Sequence, residues 1–231
     1  MFSFIQLQAD TIANAASNVV IEKIAPDTEI SILDFILKGG VFLIPIALLL
    51  FYTIYLIFER YLYISKASKI DTKLIQEVGD KLNSGNIEMA RIIVERSNTA
   101  AGNILKEGVL VIGRPIAEIE SNMDRAADIE IGEMERYLGH LGLIAGIAPT
   151  LGFIGTISGV IKIFYSISVT ENISIGNISG GLYEKMISSG SGLIVGIIAY
   201  SAYHLLNGKI DNFALKIQKQ ILEFVNIIQR A

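Results

Sequence analysis

The chain has 231 residues, 52% of them hydrophobic and 18% charged, with a formal net charge of -4 and a mean hydropathy of +0.52. That balance lies outside the range of ordinary globular domains and points to a polytopic membrane protein. Cysteine is absent, which excludes disulfides, thiol catalysis and thiolate metal sites, and the acidic balance without a Lys/Arg cluster argues against nucleic acid.

Residues 1–30 read as an amphipathic segment. Phe2, Ile5, Ala9, Ile12, Ala16, Val19 and Val20 recur at three- and four-residue steps, the pattern of a helix lying on a membrane surface. A cleaved signal peptide is the competing reading, but a basic n-region and a compact apolar h-region are missing. The first transmembrane helix is placed at 31–62, with Gly39 to Phe58 free of charge.

A cytoplasmic helical loop follows at 63–137. "NSGN" at Asn83, "NTAAGN" at Asn98 and Gly113-Arg114-Pro115 break it into three short helices and a longer one. Pro115 suits the first turn of that last helix, and no strong breaker follows until Pro149, so the spacing predicts one unbroken helix from Pro115 to Phe164. At 1.5 Å per residue it would run roughly 75 Å and project well beyond the bilayer. Ile116, Ile119, Met123, Ala126, Ala127, Met134, Tyr137 and Leu138 form a thin apolar stripe along it, which neighbouring subunits are expected to cover. Its other faces are acidic, from Glu118 to Glu135, and read either as a solvated surface or as a vestibule that concentrates cations.

The second transmembrane helix is placed at 138–166, a periplasmic loop at 167–182, the third transmembrane helix at 183–206 and a cytoplasmic C-terminal helix at 207–231. Lys and Arg set the orientation. They follow the first span (Arg60, Lys66), precede the second (Arg125, Arg136) and follow the third (Lys209, Lys216), whereas 164–183 carries none between the flanking Lys162 and Lys185. The N-terminus is then periplasmic and the C-terminus cytoplasmic.

Within the second span, "APTLGFIGTISG" combines Pro149 with Gly152, Gly155 and Gly159, residues that kink a helix and let helices approach closely. Thr156 has no such role. It either bonds back to its own helix or faces a polar path. The third span brings Ser188 and Ser189 to nearly the same depth, with Glu184 about one turn closer to the membrane surface. An ionisable group beside membrane-embedded hydroxyls suggests ion passage, against the alternative of an interfacial pairing of Glu184 with Lys185 or Lys162. Three spans cannot enclose an aqueous pore, so a homo-oligomer is expected, and a partner must supply a titrating carboxylate at its centre. The sequence holds no catalytic constellation and no cofactor motif: His204 lies about 22 Å along the helix from Ser189, and His140 sits at the other membrane face. A non-conducting oligomeric scaffold stays open as an alternative.

These residues resemble the MotA/TolQ/ExbB family of proton-channel subunits. "APTLGFIGTISGVIKIF" is similar to the family's second-span pattern, and "GGLYEKMISSGSGLIVGIIAYSAYHLL" to its third, while "KGGVFLIPIALLLFYTIYLIFERYLYI" and the three-span layout point to the TolQ/ExbB branch, ExbB-like more than TolQ-like. The resemblance covers about Ile32 to the C-terminus. It implies an all-α membrane protein with three transmembrane helices, the second and third extending into a cytoplasmic helical region, assembled as a pentameric ring in the bacterial inner membrane. It also implies a dimeric ExbD/TolR-like single-span partner whose aspartates titrate against Thr156 and Ser189, and a TonB- or TolA-like protein that receives the work. Serine stands at Ser188 and Ser189 where the family carries threonine, and Thr150 where it carries an aliphatic residue, which leaves sodium open beside protons as the driving ion.

Overall fold

The computed structural model describes residues 40–70, 72–170 and 175–230, within one compact unit spanning Gly39–Ala231. The amphipathic reading of 1–30 and the first residues of the 31–62 span lie outside the described residues. Those described form α1 (Leu43–Ala67), α2 (Thr72–Asn83), α3 (Ile87–Arg96), α4 (Ala100–Leu110), α5 (Ile116–Glu135), α6 (Leu138–Thr170) and α7 (Ile175–Arg230). No strand occurs among them. Three stretches are long and apolar enough to cross a membrane: α1, the α5–α6 run, and α7.

The short helices begin and end where the sequence breaks. Gly85 takes a positive φ of 73° after α2 and lets its own amide reach the Leu82 carbonyl at 2.9 Å, while the Asn86 amide reaches that of Lys81. Asn86 then caps α3 by accepting from the Met89 amide, and Thr99 caps α4 by accepting from that of Gly102, each at 3.1 Å. Pro115 stands immediately before α5, where its missing amide costs nothing.

The helix expected from Pro115 to Phe164 is two helices. The chain breaks at Arg136 and Tyr137, and Tyr137 adopts a left-handed φ of 65°, unusual for a residue with a Cβ. Contacts from α1 hold the break. Arg60, 6% exposed, pairs with Glu59, donates to the Glu133 carbonyl at 3.2 Å and lies 5.2 Å from the Tyr137 ring centroid. The guanidinium thus satisfies a carbonyl that the end of α5 leaves unpaired and stacks on the ring that the left-handed residue presents. Arg136 covers the same ring at 5.0 Å. A charge and a turn outside the glycine repertoire escaped a reading by periodicity and breakers.

The helices α6 and α7 also run deep into 167–182: α6 ends at Thr170 and α7 begins at Ile175. Beyond its span, α7 continues without interruption, about 84 Å in all at 1.5 Å per residue. Ile210, Phe213, Ile217, Ile221 and Phe224 recur at helical spacing along its far half and are buried. They form one core with Val78 of α2, Ile104 and Leu105 of α4, and Ile119 and Met123 of α5. The α5 stripe is therefore covered by the chain's own α4 and α7 rather than by neighbouring subunits at Ile119, Met123, Ala127 and Met134. Packing is tight there: a methyl group at Gly108 would stand 2.6 Å from Met123 Sδ and 2.7 Å from Phe224 Cε1.

Phe224 is the centre of this core, with 0% exposure. Phe224→Ala is expected to cost about 3–5 kcal/mol through lost burial and the cavity left behind, and to lower the Tm of the detergent-solubilised chain. An unchanged Tm would show that the short helices do not pack on α7 in solution.

Candidate functional site

The spans meet in a fixed antiparallel register. Phe42 at the start of α1 packs at Gly155 of α6, and Tyr52 donates or accepts a 2.8 Å hydrogen bond with His140 Nδ1 at the start of α6. Between α6 and α7, the most extensive helix pair, the register can be read from where glycine is obligatory. A Cβ on Gly152 would stand 2.9 Å from Ser189 Cα, and one on Gly155 would stand 2.8 Å from Ser188 Oγ. At Gly159 the gap is filled by the aliphatic stem of Lys185. The helix axes approach to backbone contact because the side chains that would hold them apart are absent.

The facing helix supplies glycines of its own. Gly192 lies against the Ala148 carbonyl, and Gly196 receives the Pro149 ring, whose Cγ is 2.5 Å from the place a Cβ would take. Pro149 deprives the Ala145 carbonyl of its helical donor, and that oxygen faces the same spot on Gly196, at 3.1 Å from a Cβ there. The proline and its freed carbonyl therefore sit over a bare stretch of backbone. Gly192 and Gly196 escaped the sequence reading, although their four-residue spacing mirrors that of Gly155 and Gly159 and was visible in "GLIVG".

Hydroxyl groups line the same level. The register places Thr156 and Ser189 within about one helical turn of each other in depth. Both are half-buried, whereas Ser188 is 1% exposed and lies inside the seam against Gly155. Thr156 Oγ1 donates to the Phe153 carbonyl at 2.6 Å, Ser188 Oγ to the Lys185 carbonyl at 3.0 Å and Ser191 Oγ to the Ile187 carbonyl at 2.8 Å. Thr150 Oγ1 donates to the carbonyls of Ile147 and Gly146, at 2.8 and 3.2 Å, and not to the Ala145 carbonyl that Pro149 frees. Each of these hydroxyls spends its proton on its own helix, which leaves the lone pairs of the half-buried Thr156 free to accept, whereas Ser188 is enclosed in the seam.

Glu184 falls on α7, but its side chain lies outside the described residues. From Leu141 to Ile161 and from Met186 to Ser201 the only ionisable side chain is Tyr200. A layer of hydroxyl acceptors in such surroundings can solvate a small cation or hold water, but it contains no group that exchanges a proton near neutral pH. No cluster of three or more His, Asp or Glu able to hold a metal occurs among the described residues. Because α7 is continuous, Ser189 and His204 stay about 22 Å apart, too far for a base to activate the serine. The acidic side chains of α5 are mostly exposed, with Glu118 tied to Arg114 at 2.5 Å and Glu130 accepting from Asn103 at 2.7 Å.

The seam generates a paired test. Gly152→Val forces a branched side chain into the Ser189 backbone and is expected to cost about 1–3 kcal/mol or more, read as a lower Tm in detergent. Gly146→Ala, on the same helix with nothing within 4 Å of its new methyl group, is expected to be neutral or to stabilise by up to about 1 kcal/mol. Equal effects would refute the register.

Residues 96–219, the segment from the end of α3 through α6 into the far half of α7, match the model of the MotA/TolQ/ExbB proton channel family. An ExbB homologue of Methanothermobacter thermautotrophicus is 30% identical over 190 residues, covering 81% of this chain and 67% of that protein. An ExbB-like protein of Synechocystis is 27% identical over 179 residues, 76% of this chain and 70% of its own length. The Tol-Pal system protein TolQ of Haemophilus influenzae is 27% identical over 108 residues, 47% of each chain.

Proposed function

The chain belongs to the MotA/TolQ/ExbB proton channel family, in its ExbB-like branch, and we propose that it is the ring-forming subunit of an inner-membrane motor driven by the proton-motive force. The observation that supports this reading is the α6–α7 seam: glycines bring two spans to backbone contact, and hydroxyl groups lie at that level in stretches, 141–161 and 186–201, that carry no Asp, Glu, His, Lys or Arg. A proton crossing at that level needs a carboxylate from another protein. Five copies in a ring around an ExbD/TolR-like dimer would bring two aspartates to Thr156 and Ser189, one protonated while the other is exposed to the opposite side. Thr156 and Ser189 then accept and pass the proton or its water, and Glu184 sits at the mouth of the path.

Alternating occupancy of the two aspartates turns the partner stepwise within the ring. Each charge that crosses releases about 2.3 kcal/mol per 100 mV, enough to bias a rotation but not to break the ring's own packing. The motion passes to a TonB- or TolA-like protein, for outer-membrane transport or envelope maintenance. In this arrangement the N-terminus is periplasmic, and the C-terminal half of α7, with α2 to α5, projects into the cytoplasm, where the acidic face of α5 draws cations toward the ring.

The first experiment is native mass measurement of the protein extracted from its own membranes in mild detergent, followed by ion flux in vesicles. A pentamer carrying two copies of a small single-span protein is expected. Thr156→Ala and Ser189→Ala are each expected to keep the assembly and to lower proton flux by about tenfold or more, the effect of one lost hydrogen-bonding group of about 1.5 kcal/mol. Flux that follows a sodium gradient instead would make the motor sodium-driven. Assembly without any flux would leave a non-conducting oligomeric scaffold, and flux indifferent to both substitutions would remove Thr156 and Ser189 from the ion path.

A further inference from the structure

On the side where α1 packs against α7, an open groove of about 790 Å³ runs along the surface. Its walls are mostly apolar, formed by Ile57 of α1 and by Ile197, Ile198, Ala202 and Leu205 of α7, with Ser201 and His204 among them. Toward the end of the spans the lining changes. Tyr61 and Lys209 close the groove together, with the Lys209 ammonium 3.9 Å from the Tyr61 ring centroid. A second hollow of about 380 Å³ shares Lys209 and Asn212 with the first and adds Ser65, Ser68 and Lys216. No carboxylate lines either hollow.

The change of lining coincides with the change of solvent. The uncharged run of α1 ends at Phe58, and that of α7 ends near Leu206, so the apolar groove lies at the depth of acyl chains and the basic hollow at the depth of headgroups. Gly208 keeps the passage open, since a side chain there would meet nothing within 4 Å. An apolar trough that leads into two ammonium groups, two hydroxyls and an amide matches one class of occupant in both halves.

We propose that this groove binds an anionic phospholipid, with one acyl chain along Ile57, Ile198 and Leu205 and the phosphate between Lys209 and Lys216, within reach of Ser65 and Ser68. Charge complementarity selects the headgroup. Basic pockets between spans at the Lys/Arg-rich membrane face hold anionic lipids, and each lysine adds to the attraction. A zwitterionic lipid would fill the trough equally well, but its own ammonium would be repelled by the two lysines and would offset the attraction of its phosphate. The site is separate from the α6–α7 seam and does not depend on ion conduction, so flux through the ring neither supports nor weakens it.

Native mass spectrometry of the full chain, titrated with phosphatidylglycerol or phosphatidylethanolamine of matched chain length, tests the proposal. The native protein is expected to retain phosphatidylglycerol preferentially. Lys209→Gln with Lys216→Gln is expected to weaken that binding on the order of thirtyfold and to abolish the preference. Gly208→Leu, which fills the trough without meeting another group, is expected to reduce retention of both lipids, and Lys81→Gln, remote on α2, is expected to change nothing. Unchanged phosphatidylglycerol binding in the double variant would overturn the site even if Gly208→Leu failed to fold. A photo-reactive p-benzoylphenylalanine in place of Ile198 should capture phospholipid in native membranes; capture of a second copy of the chain instead would show that the groove is a subunit contact and overturn the proposal.

Discussion

Everything in the membrane-spanning part depends on how closely α6 and α7 approach. In lipid the hydrophobic effect does not drive one helix against another, because the acyl chains are as apolar as the side chains they replace; association rests on close packing. Glycine at Gly152, Gly155, Gly192 and Gly196 turns the seam into backbone-to-backbone contact, where dispersion forces act over a continuous surface. The same contact fixes depth. Once Gly152 faces Ser189 and Gly196 faces Pro149, the hydroxyls have no freedom to slide along the helix, and their level in the bilayer is set by the glycines rather than by the hydroxyls themselves.

A second constraint lies where the chain leaves the membrane. The left-handed Tyr137 costs about 1–2 kcal/mol in backbone energy, offset by the Arg60 guanidinium that binds both its ring and the Glu133 carbonyl. Arg60 belongs to α1, so the first span does more than cross the bilayer: it locks the angle at which α5 meets the span α6. Burial of that cation is tolerable because Glu59 lies against it and two aromatic faces surround it.

Much of this was legible in the amino-acid sequence, for identifiable reasons. Breakers such as Gly85, Asn86 and Thr99 act locally, through φ or through a cap a few residues away, and the helix boundaries they predict agree with α2, α3 and α4. The long charge-free runs state their own solvent. The break at Tyr137 is not legible, because neither Arg136 nor Tyr137 is a helix breaker and the Arg60 that contacts it is distant in sequence. Nor could the stripe on α5 announce its partner. Periodicity says that a face is buried without saying against what, and the answer, α4 and the far half of α7, lies up to about a hundred residues away. In the candidate site, the glycines of α6 stand out among hydroxyls and apolar bulk, whereas Gly192 and Gly196 are masked in the sequence by the serines beside them.

The continuity of α7 has a mechanical consequence. Its span half is gripped by α6, and its far half, ending in Phe224, is gripped by the short helices. Between Ser189 and Phe224 lie about 50 Å of unbroken helix at 1.5 Å per residue. Helices of this kind curve gently and kink sharply only at proline, paired Gly/Ser or a π-bulge. A change of about 5° in the seam therefore displaces the Phe224 end by about 4 Å, close to the 5.4 Å of one helical turn. A small tilt at the glycine seam and the position of a whole packed core at the far end are thus joined by one rigid connection.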